Sequence, residues 1–478
     1  MNVILVISDT LRRDHLGCYG NEWIHTPNLD RLAAESFVFD QAYAASFPTV
    51  PNRLDVLTGR YTFTNLRWQP LPPNEVTIPQ VVGAAGYVSM MIVDTPHIMQ
   101  AGYHFDRGFS GWEWIRGQEN DRWRTWPPDP ALPAAPEKLR EPEHTVKQHL
   151  RNTAVRRGEE DCFCAQTMRT AAAWLEENRT LDRFFLYVDT FDPHEPWDAP
   201  QHYVDLYDPG YEGDAVFYPR YGPADYLTKA ELRHMRALYA AEVTLVDRWV
   251  GHLLRRVDEL GLRDSTAIIF TTDHGFYHGE HGLTGKSIIW WGGYASCPLY
   301  EEVAHIPLLI RLPGQTKGRR IAAYAQPPDL LPTIVELTGA DDPGTTNGHS
   351  LVPLMQGKSR PVRRLCLTTP SLAHSPNTGE PTTITMGEWS LIYSGDPAAG
   401  SERHVTRAVD GIARAAGAAD GPPVSTRPEL YHLPTDPGQK RNVIRKHPEI
   451  AQKLHAAQVR MLEELGMEEQ FLRHRRTL

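Results

Sequence analysis

Five short runs of this chain, residues 3–7, 88–93, 184–188, 267–270 and 306–310, are built almost wholly from apolar side chains. A strand with one wet face alternates polar and apolar residues, so uninterrupted runs of this kind demand burial on both faces, as in a parallel sheet covered above and below. The segments between them read as helices. The clearest is 229–260, where Leu232, Met235, Leu238, Leu245, Trp249, Leu253 and Val257 recur at helical spacings and Gly261 supplies a stop. Strand and helix alternate over roughly the first 340 residues, which predicts an α/β fold with a mostly parallel sheet flanked by helices.

A different pattern follows. Residues 365–369, 382–386 and 389–393 are strand-like, Glu429-Leu-Tyr-His-Leu adds another strand, and 448–465 reads as a closing helix with Ile450, Leu454, Val459 and Leu462 apolar. A small antiparallel sheet plus a helix accounts for them. We therefore expect two units, a catalytic one over 1–360 and a smaller α+β one over 361–478 that completes the active-site rim, with the change between Gly357 and Arg364. Three stretches lack such patterning: 111–160, rich in Pro and charge and without a core of its own; 205–226, rich in Tyr, Pro and Gly; and 395–428, which reads as an Ala/Gly-rich loop.

Lys and Arg number 49 against 59 Asp and Glu, a net charge of -10, so no basic excess exists to meet nucleic acid and an anionic ligand must be met locally. No apolar run approaches the roughly 18 residues of a membrane span. The opening MNVILVISD lacks a basic n-region, and the expectation is a cytoplasmic protein with no membrane partner. Five thinly spread cysteines argue against a disulfide framework, and Cys162 and Cys164, without a partner pair or a nearby His cluster, read as free thiols. The Arg12-Arg13 pair and the Arg473-His-Arg-Arg tail read as solvated charge.

Ligands of open parallel sheets bind beyond the carboxyl ends of the strands. Those ends carry Ser8-Asp9, Asp94-Thr95, the 189–194 stretch and Asp273-His274, which puts these polar clusters on one rim. Asp9 with Asp273 and His274 forms a ligand set for a divalent metal, although the two aspartates alone could equally cap the turns that follow them. Thr49-Val-Pro-Asn-Arg53, followed by Thr58-Gly59-Arg60, reads as a helix with Pro51 in its first turn and Gly59 as its stop. Thr49 then sits at a helix N-terminus, which favours an anion, and Arg53 lies one turn along the same face, where it can steady that anion. A hydroxyl bound to a metal there is activated as a nucleophile. Trp112, Trp114, Trp123 and Trp126, with Trp290 and Trp291, either wall the substrate site or anchor their own loops.

At these residues the sequence resembles the sulfatase branch of the alkaline phosphatase superfamily. The nucleophile motif there is C-x-P-x-R followed by T-G-R, and Thr49-Val50-Pro51-Asn52-Arg53 with Thr58-Gly59-Arg60 matches except at the first position. Similar stretches follow in order over nearly the whole chain: NVILVISDTLRRDHLGCYG, HTPNLDRLAAES, Asp192-Pro193-His194-Glu195-Pro196, Asp273-His274-Gly275, Gly279-Glu-His-Gly-Leu-Thr-Gly-Lys286, LYEEVAHIPLLIRLPG, PPDLLPTIVELTG and ELYHLPTDPGQKRNV. The resemblance implies an alkaline-phosphatase-like fold. It also implies that Asp9, Asp273 and His274 bind one divalent ion (Mn, Zn, Ca or Mg), that Thr49 is both nucleophile and metal ligand, and that His194 and Lys286 hold the oxyanion or protonate the leaving group.

Four departures narrow the expectation. Thr49 replaces the cysteine that sulfatases convert to formylglycine, Thr10 stands where a second metal-binding aspartate is usual, Asp94-Thr95-Pro96-His97 lacks a Lys-x-His, and residues 287–298 intervene before the LYEE segment. A formylglycine hydrate expels sulfate by collapsing to an aldehyde, whereas a threonine ester has to be opened by water attacking phosphorus or sulfur. Threonine at this place resembles the nucleotide pyrophosphatase/phosphodiesterases and lipoteichoic-acid-synthase-like members, which work on phosphorus. The expected activity is metal-dependent hydrolysis of phosphodiesters or phosphonate monoesters, small anionic esters, through a covalent threonine intermediate. The alternatives are a threonine-dependent sulfatase, a transferase and a silent anion-binding relative. A second metal, for which Asp189, Asp192, His194 and His281 are available, and a homo-oligomer stay open.

Overall fold

All five apolar runs become strands of one nine-stranded sheet. The computed structural model describes residues 1–290, 293–358, 361–372, 380–395 and 427–478. The strands are β1 (Asn2–Ser8), β2 (Phe37–Tyr43), β3 (Val88–Val93), β4 (Gly111–Trp114), β5 (Phe184–Thr190), β6 (Thr266–Thr271), β7 (His305–Ile306), β8 (Leu308–Arg311) and β9 (Arg319–Ala325). From one edge the order is β4, β3, β5, β1, β6, β8, β2, β9. The first five of these run parallel, and β8 is antiparallel to β6 and to β2. Apolarity on both faces tells that a strand is central, but its direction is set by the connection. Pro307 has no N–H for the ladder, and there the strand breaks into β7 and β8 with a shifted register against β2.

Alternate residues of the central strands feed two cores. Ile4, Val6, Leu186, Val188, Ile268 and Phe270 face a layer that includes α2 (Phe163–Glu177) and α3 (Lys229–Glu259). Val3, Leu5, Ile7, Phe185, Tyr187 and Ile269 face the opposite layer, with α1 (Thr49–Thr58) and α4 (Leu330–Thr338). This is why neither face of β1 or β5 could be polar. The long α3 begins at a reciprocal cap, Thr228 Oγ1 accepting from the Glu231 N–H at 3.2 Å and Glu231 accepting from the Thr228 N–H at 2.8 Å. It ends one residue before Gly261, whose φ is +69°.

The C-terminal strands β10 (Cys366–Thr368), β11 (Thr382–Met386), β12 (Trp389–Tyr393) and β13 (Glu429–His432) form an antiparallel sheet against which α5 (Pro448–Glu464) packs. Their core mixes with that of the larger unit: Leu367, Ile384, Leu391, Leu430, Leu454 and Leu462 cluster with Ala45, Tyr61 and Phe63. Thr369 donates to the Ala45 carbonyl and its own carbonyl accepts from Phe47, each at 3.0 Å, so this sheet is stitched to the segment that leads into α1.

Some expectations need correction. The 111–160 stretch is not coreless, since it supplies β4 and sends Ala134, Leu139 and Val146 into the α2–α3 core. Arg12 and Arg475 are buried rather than solvated. Arg12 is neutralised by Asp14 at 2.6 Å and Glu280 at 2.8 Å, and Arg475 donates to Thr382 Oγ1 at 3.1 Å. The 395–428 loop, apart from its ends, and Trp291 lie outside the described residues. Among the described residues no helix is long and apolar enough to cross a membrane.

Candidate active site

Because β5, β1 and β6 are neighbours in parallel register, their carboxyl ends come side by side, Ile7 lying between Asp189 and Thr271. Asp9 and Asp273-His274 leave these ends fully buried, and one ligand atom from each lies within 4.8 Å of the others. Thr10 holds the two carboxylates in place. Its N–H donates to Asp273 Oδ1 at 2.9 Å and its hydroxyl to Asp9 Oδ1 at 2.6 Å. To do both it adopts φ +61°, a left-handed conformation costing a β-branched residue about 1–3 kcal/mol. The Tyr239 hydroxyl, reaching over from α3, donates to the Thr10 carbonyl at 2.8 Å.

His274 donates from Nδ1 to the Gly275 carbonyl at 3.0 Å, which leaves Nε2 on the cluster, 3.3 Å from Asp273 Oδ2. Gly275 is required by close approach, since a Cβ there would meet the Glu302 carbonyl oxygen at 1.9 Å. Burial, and then the Asp273 charge, raise the Asp9 carboxyl well above its usual range. Burial pushes Asp273 up too, but His274, Arg53 and Lys286 outweigh it and hold that carboxyl low. Burial pushes His274 down to about 3, so the imidazole is neutral and Nε2 is a lone-pair donor.

These residues fit a divalent cation. Asp9 Oδ2 is buried and accepts no hydrogen bond, although Arg53 Nη1 stands 2.9 Å away, and two adjacent carboxylates with a neutral imidazole are a mixed O/N donor set. Thr49 is the first residue of α1 and is buried, and among the described residues its hydroxyl has no hydrogen-bond partner. The start of this helix is fixed against the cluster: Asn52 Nδ2 donates to the Asp273 carbonyl at 3.1 Å, and the Phe47 ring lies 4.9 Å from that of His274.

Arg53 faces the cluster directly. Its Nε and Nη2 donate to both oxygens of Asp189, at 3.0 and 2.8 Å, and Nη1 bonds Asp273. A guanidinium shared among three buried carboxylates, Asp9, Asp189 and Asp273, positions two members of the cluster. Asp189 accepts further hydrogen bonds from Thr95 and Tyr187, each at 2.6 Å.

His194 stacks on Phe191 at 4.0 Å and donates from Nδ1 to the Glu195 carbonyl at 2.6 Å. Burial and Lys286 push it well below the usual histidine range, leaving Nε2 as an acceptor. Lys286 is buried with Nζ 3.3 Å from His274 Nε2. The residues set aside for a second metal are not brought together: Asp189 clamps Arg53, Asp192 accepts from Gln118 and the Cys164 N–H, and His281 stacks on Tyr300 at 3.7 Å.

Trp112 and Trp126 are 50 and 74% exposed, whereas the Trp123 ring packs on Gly117, where a Cβ would meet Trp123 Cε3 at 2.8 Å. The aromatic group nearer His194 is one the sequence did not single out, Trp68 lying 5.3 Å from His97, which in turn lies 5.6 Å from Phe191. Asn52 and Tyr239 were likewise missed as site-builders, and Asp189 and Thr10 were noted on the rim without their contacts to Arg53, Asp9 and Asp273. Asp189 had a signal, its place at the end of a central strand.

The chain is similar to several known proteins. Human iduronate 2-sulfatase is 29% identical over 416 residues, covering 75% of this chain and 68% of its own. The multifunctional alkaline phosphatase superfamily protein PehA of Trinickia caryophylli is 27% identical, covering 75% of this chain and 77% of its own. The crystal structure of the phosphonate monoester hydrolase of Agrobacterium radiobacter superposes with a TM-score of 0.73 at 20% identity, over 97% of this chain and 95% of that one. A sequence model of the sulfatase family matches residues 1–340, so the chain belongs to the sulfatase family, a family of metal-dependent ester hydrolases.

Proposed function

We propose that this enzyme hydrolyses phosphonate monoesters or phosphodiesters through a covalent ester of Thr49. The observation that carries the reading is a threonine, its hydroxyl without a hydrogen-bond partner among the described residues, at the buried N-terminus of α1, one turn before the arginine that clamps Asp9 and Asp273. Asp9, Asp273 and His274, with Thr49 Oγ1 as a further ligand, would hold a divalent ion, which would supply Lewis acidity to the Thr49 hydroxyl and to the ester.

The Thr49 hydroxyl gives up its proton to solvent and its oxygen attacks phosphorus in line, forming the O–P bond as the bond to the alcohol leaving group breaks; the threonine oxygen takes a proton back from solvent when the ester is opened. Lys286 carries the proton that the departing oxygen takes up. His194, neutral with an open Nε2, suits the second half, accepting a proton from the water that opens the threonine ester. The substrate reading is a small anionic ester met by a local cationic pocket in a chain of net charge -10, with no nucleic-acid partner. We place the enzyme in the cytoplasm on its five unpaired cysteines, and leave a homo-oligomer open.

A threonine-dependent sulfatase is the second reading, favoured by the 29% identity to iduronate 2-sulfatase. The test is to strip the enzyme of metal, restore single divalent ions, and compare matched aryl phosphonate monoesters, phosphodiesters and sulfate esters. Metal-dependent turnover fastest on the phosphorus esters is expected. Turnover of sulfate esters alone overturns the phosphorus assignment, and no turnover on any ester overturns the hydrolase mechanism.

A further inference from the structure

Among the described residues a second buried group of metal-binding side chains lies on the α2–α3 face of the sheet. Cys164 in the first turn of α2, Asp192 two residues before His194, and Glu242 in the middle of α3 each bring one ligand atom within 4.8 Å of the other two. All three are buried, Cys164 and Asp192 at 0 and 4% exposure and Glu242 at 1%. The spacing of Cys162 and Cys164 gave no reason to expect a metal, and it is the fold that supplies the two carboxylates.

Asp192 is already oriented: Oδ1 accepts from Gln118 Nε2 at 2.5 Å and Oδ2 from the Cys164 N–H at 3.1 Å. Glu242 is not satisfied, its Oε2 being buried without a hydrogen-bond donor. The nearby guanidinium of Arg156 is paired with Asp198 at 2.8 Å. An unmatched carboxylate in a packed helix interface costs several kcal/mol unless its charge is met. A proton on Glu242 would remove that charge, and burial and Asp192 do raise its pKa, but it leaves the convergence of a sulfur on the same point without a purpose.

We propose that Cys164, Asp192 and Glu242 bind a second, structural divalent ion of the zinc class through one thiolate and two carboxylate oxygens. A thiolate in the set selects zinc over magnesium or calcium, and binding releases the Cys164 proton to solvent. The ion ties α2 and α3 to the loop that carries His194, adding to the hydrogen bonds from Ser8, Gln118 and the Cys164 N–H to Asp192.

The test reads metal, not turnover, so it stands apart from the ester chemistry. Full-length protein grown with zinc should hold about two metal equivalents per chain, falling to about one in Cys164→Ser and in Glu242→Gln, and Asp273→Asn should keep the Cys164 equivalent. Cobalt-substituted protein should show a thiolate-to-cobalt charge-transfer band that survives Cys162→Ser and vanishes in Cys164→Ser. Metal content unchanged in both Cys164→Ser and Glu242→Gln, or a cobalt protein without the band, overturns the proposal and leaves Glu242 as a buried neutral acid.

Discussion

Thr49 and Arg53 lie one helical turn apart and are assigned different work, which single substitutions separate. Thr49→Ala should lower kcat by about 10³-fold or more even with metal in excess, so that Asp9, Asp273 and His274 still hold the ion, whereas Thr49→Ser should retain measurable turnover. Arg53→Lys keeps the charge but loses the two-pronged grip on Asp189, and should weaken metal binding about 10–100-fold in a calorimetric titration of the stripped enzyme. Unchanged metal affinity would return Arg53 to the role of substrate ligand. That Asp9, Asp273 and His274 come together was legible from their places after buried strands and from the family resemblance, which also singled out Thr49. Thr10 was not, because its contribution is a left-handed backbone that threonine disfavours and only the assembled site imposes. Asp189 was legible as a rim residue but not as the partner of Arg53, since that pairing depends on which strand lies beside β1.

At the scale of elements, α1 is held at both ends, and its C-terminal stop is the more easily tested. Gly59 has φ +68° and a Cβ there would lie 2.9 Å from Thr346 Cγ2 and 3.1 Å from Leu331 Cβ. Gly339 ends α4 at φ +69° with nothing within 4 Å of the same position. Both alanine variants pay the left-handed backbone, about 1–2 kcal/mol, but Gly59→Ala adds crowding of about 1–3 kcal/mol. Thermal melts should therefore rank Gly59→Ala below Gly339→Ala, and equal melting points would show that the α1 terminus yields. The same scale explains which strands the sequence revealed. β1, β3, β5, β6 and β8 are apolar on both faces, while β4 and β9 are edges whose exposed positions carry Trp112, Glu113, Arg319 and Arg320. β2 is interior, yet it carries Asp40, which pairs with Arg320 of β9 across the ladder and disguises the run.

For the molecule as a whole, buried acids set the pH dependence of stability. Burial pushes Asp55 and Asp329 up to about 7 and Asp247 up to about 6, against hydrogen bonds that favour their ionised forms. Between about pH 4 and 7 the native chain then binds more protons than the unfolded one, and stability falls as pH rises through that window. Glu119 and Glu280, held at about 2, act in the opposite sense, their stabilising effect being present above about pH 4 and lost as pH falls toward 2. Calorimetric melting of the metal-free protein should thus peak in mild acid and decline toward pH 8, and a melting point rising over pH 5 to 8 would contradict this. The small antiparallel C-terminal sheet was visible in the chain, but it is bonded to the residues that enter α1, so it is no detachable appendage of the site. The covalent threonine is tested most directly by the mass of the intact chain, acid-quenched during turnover of an aryl phosphonate monoester. The account predicts a phosphonyl increment that maps to Thr49 and is absent from Thr49→Ala, and undiminished turnover by Thr49→Ala with no adduct on the wild-type chain would contradict it.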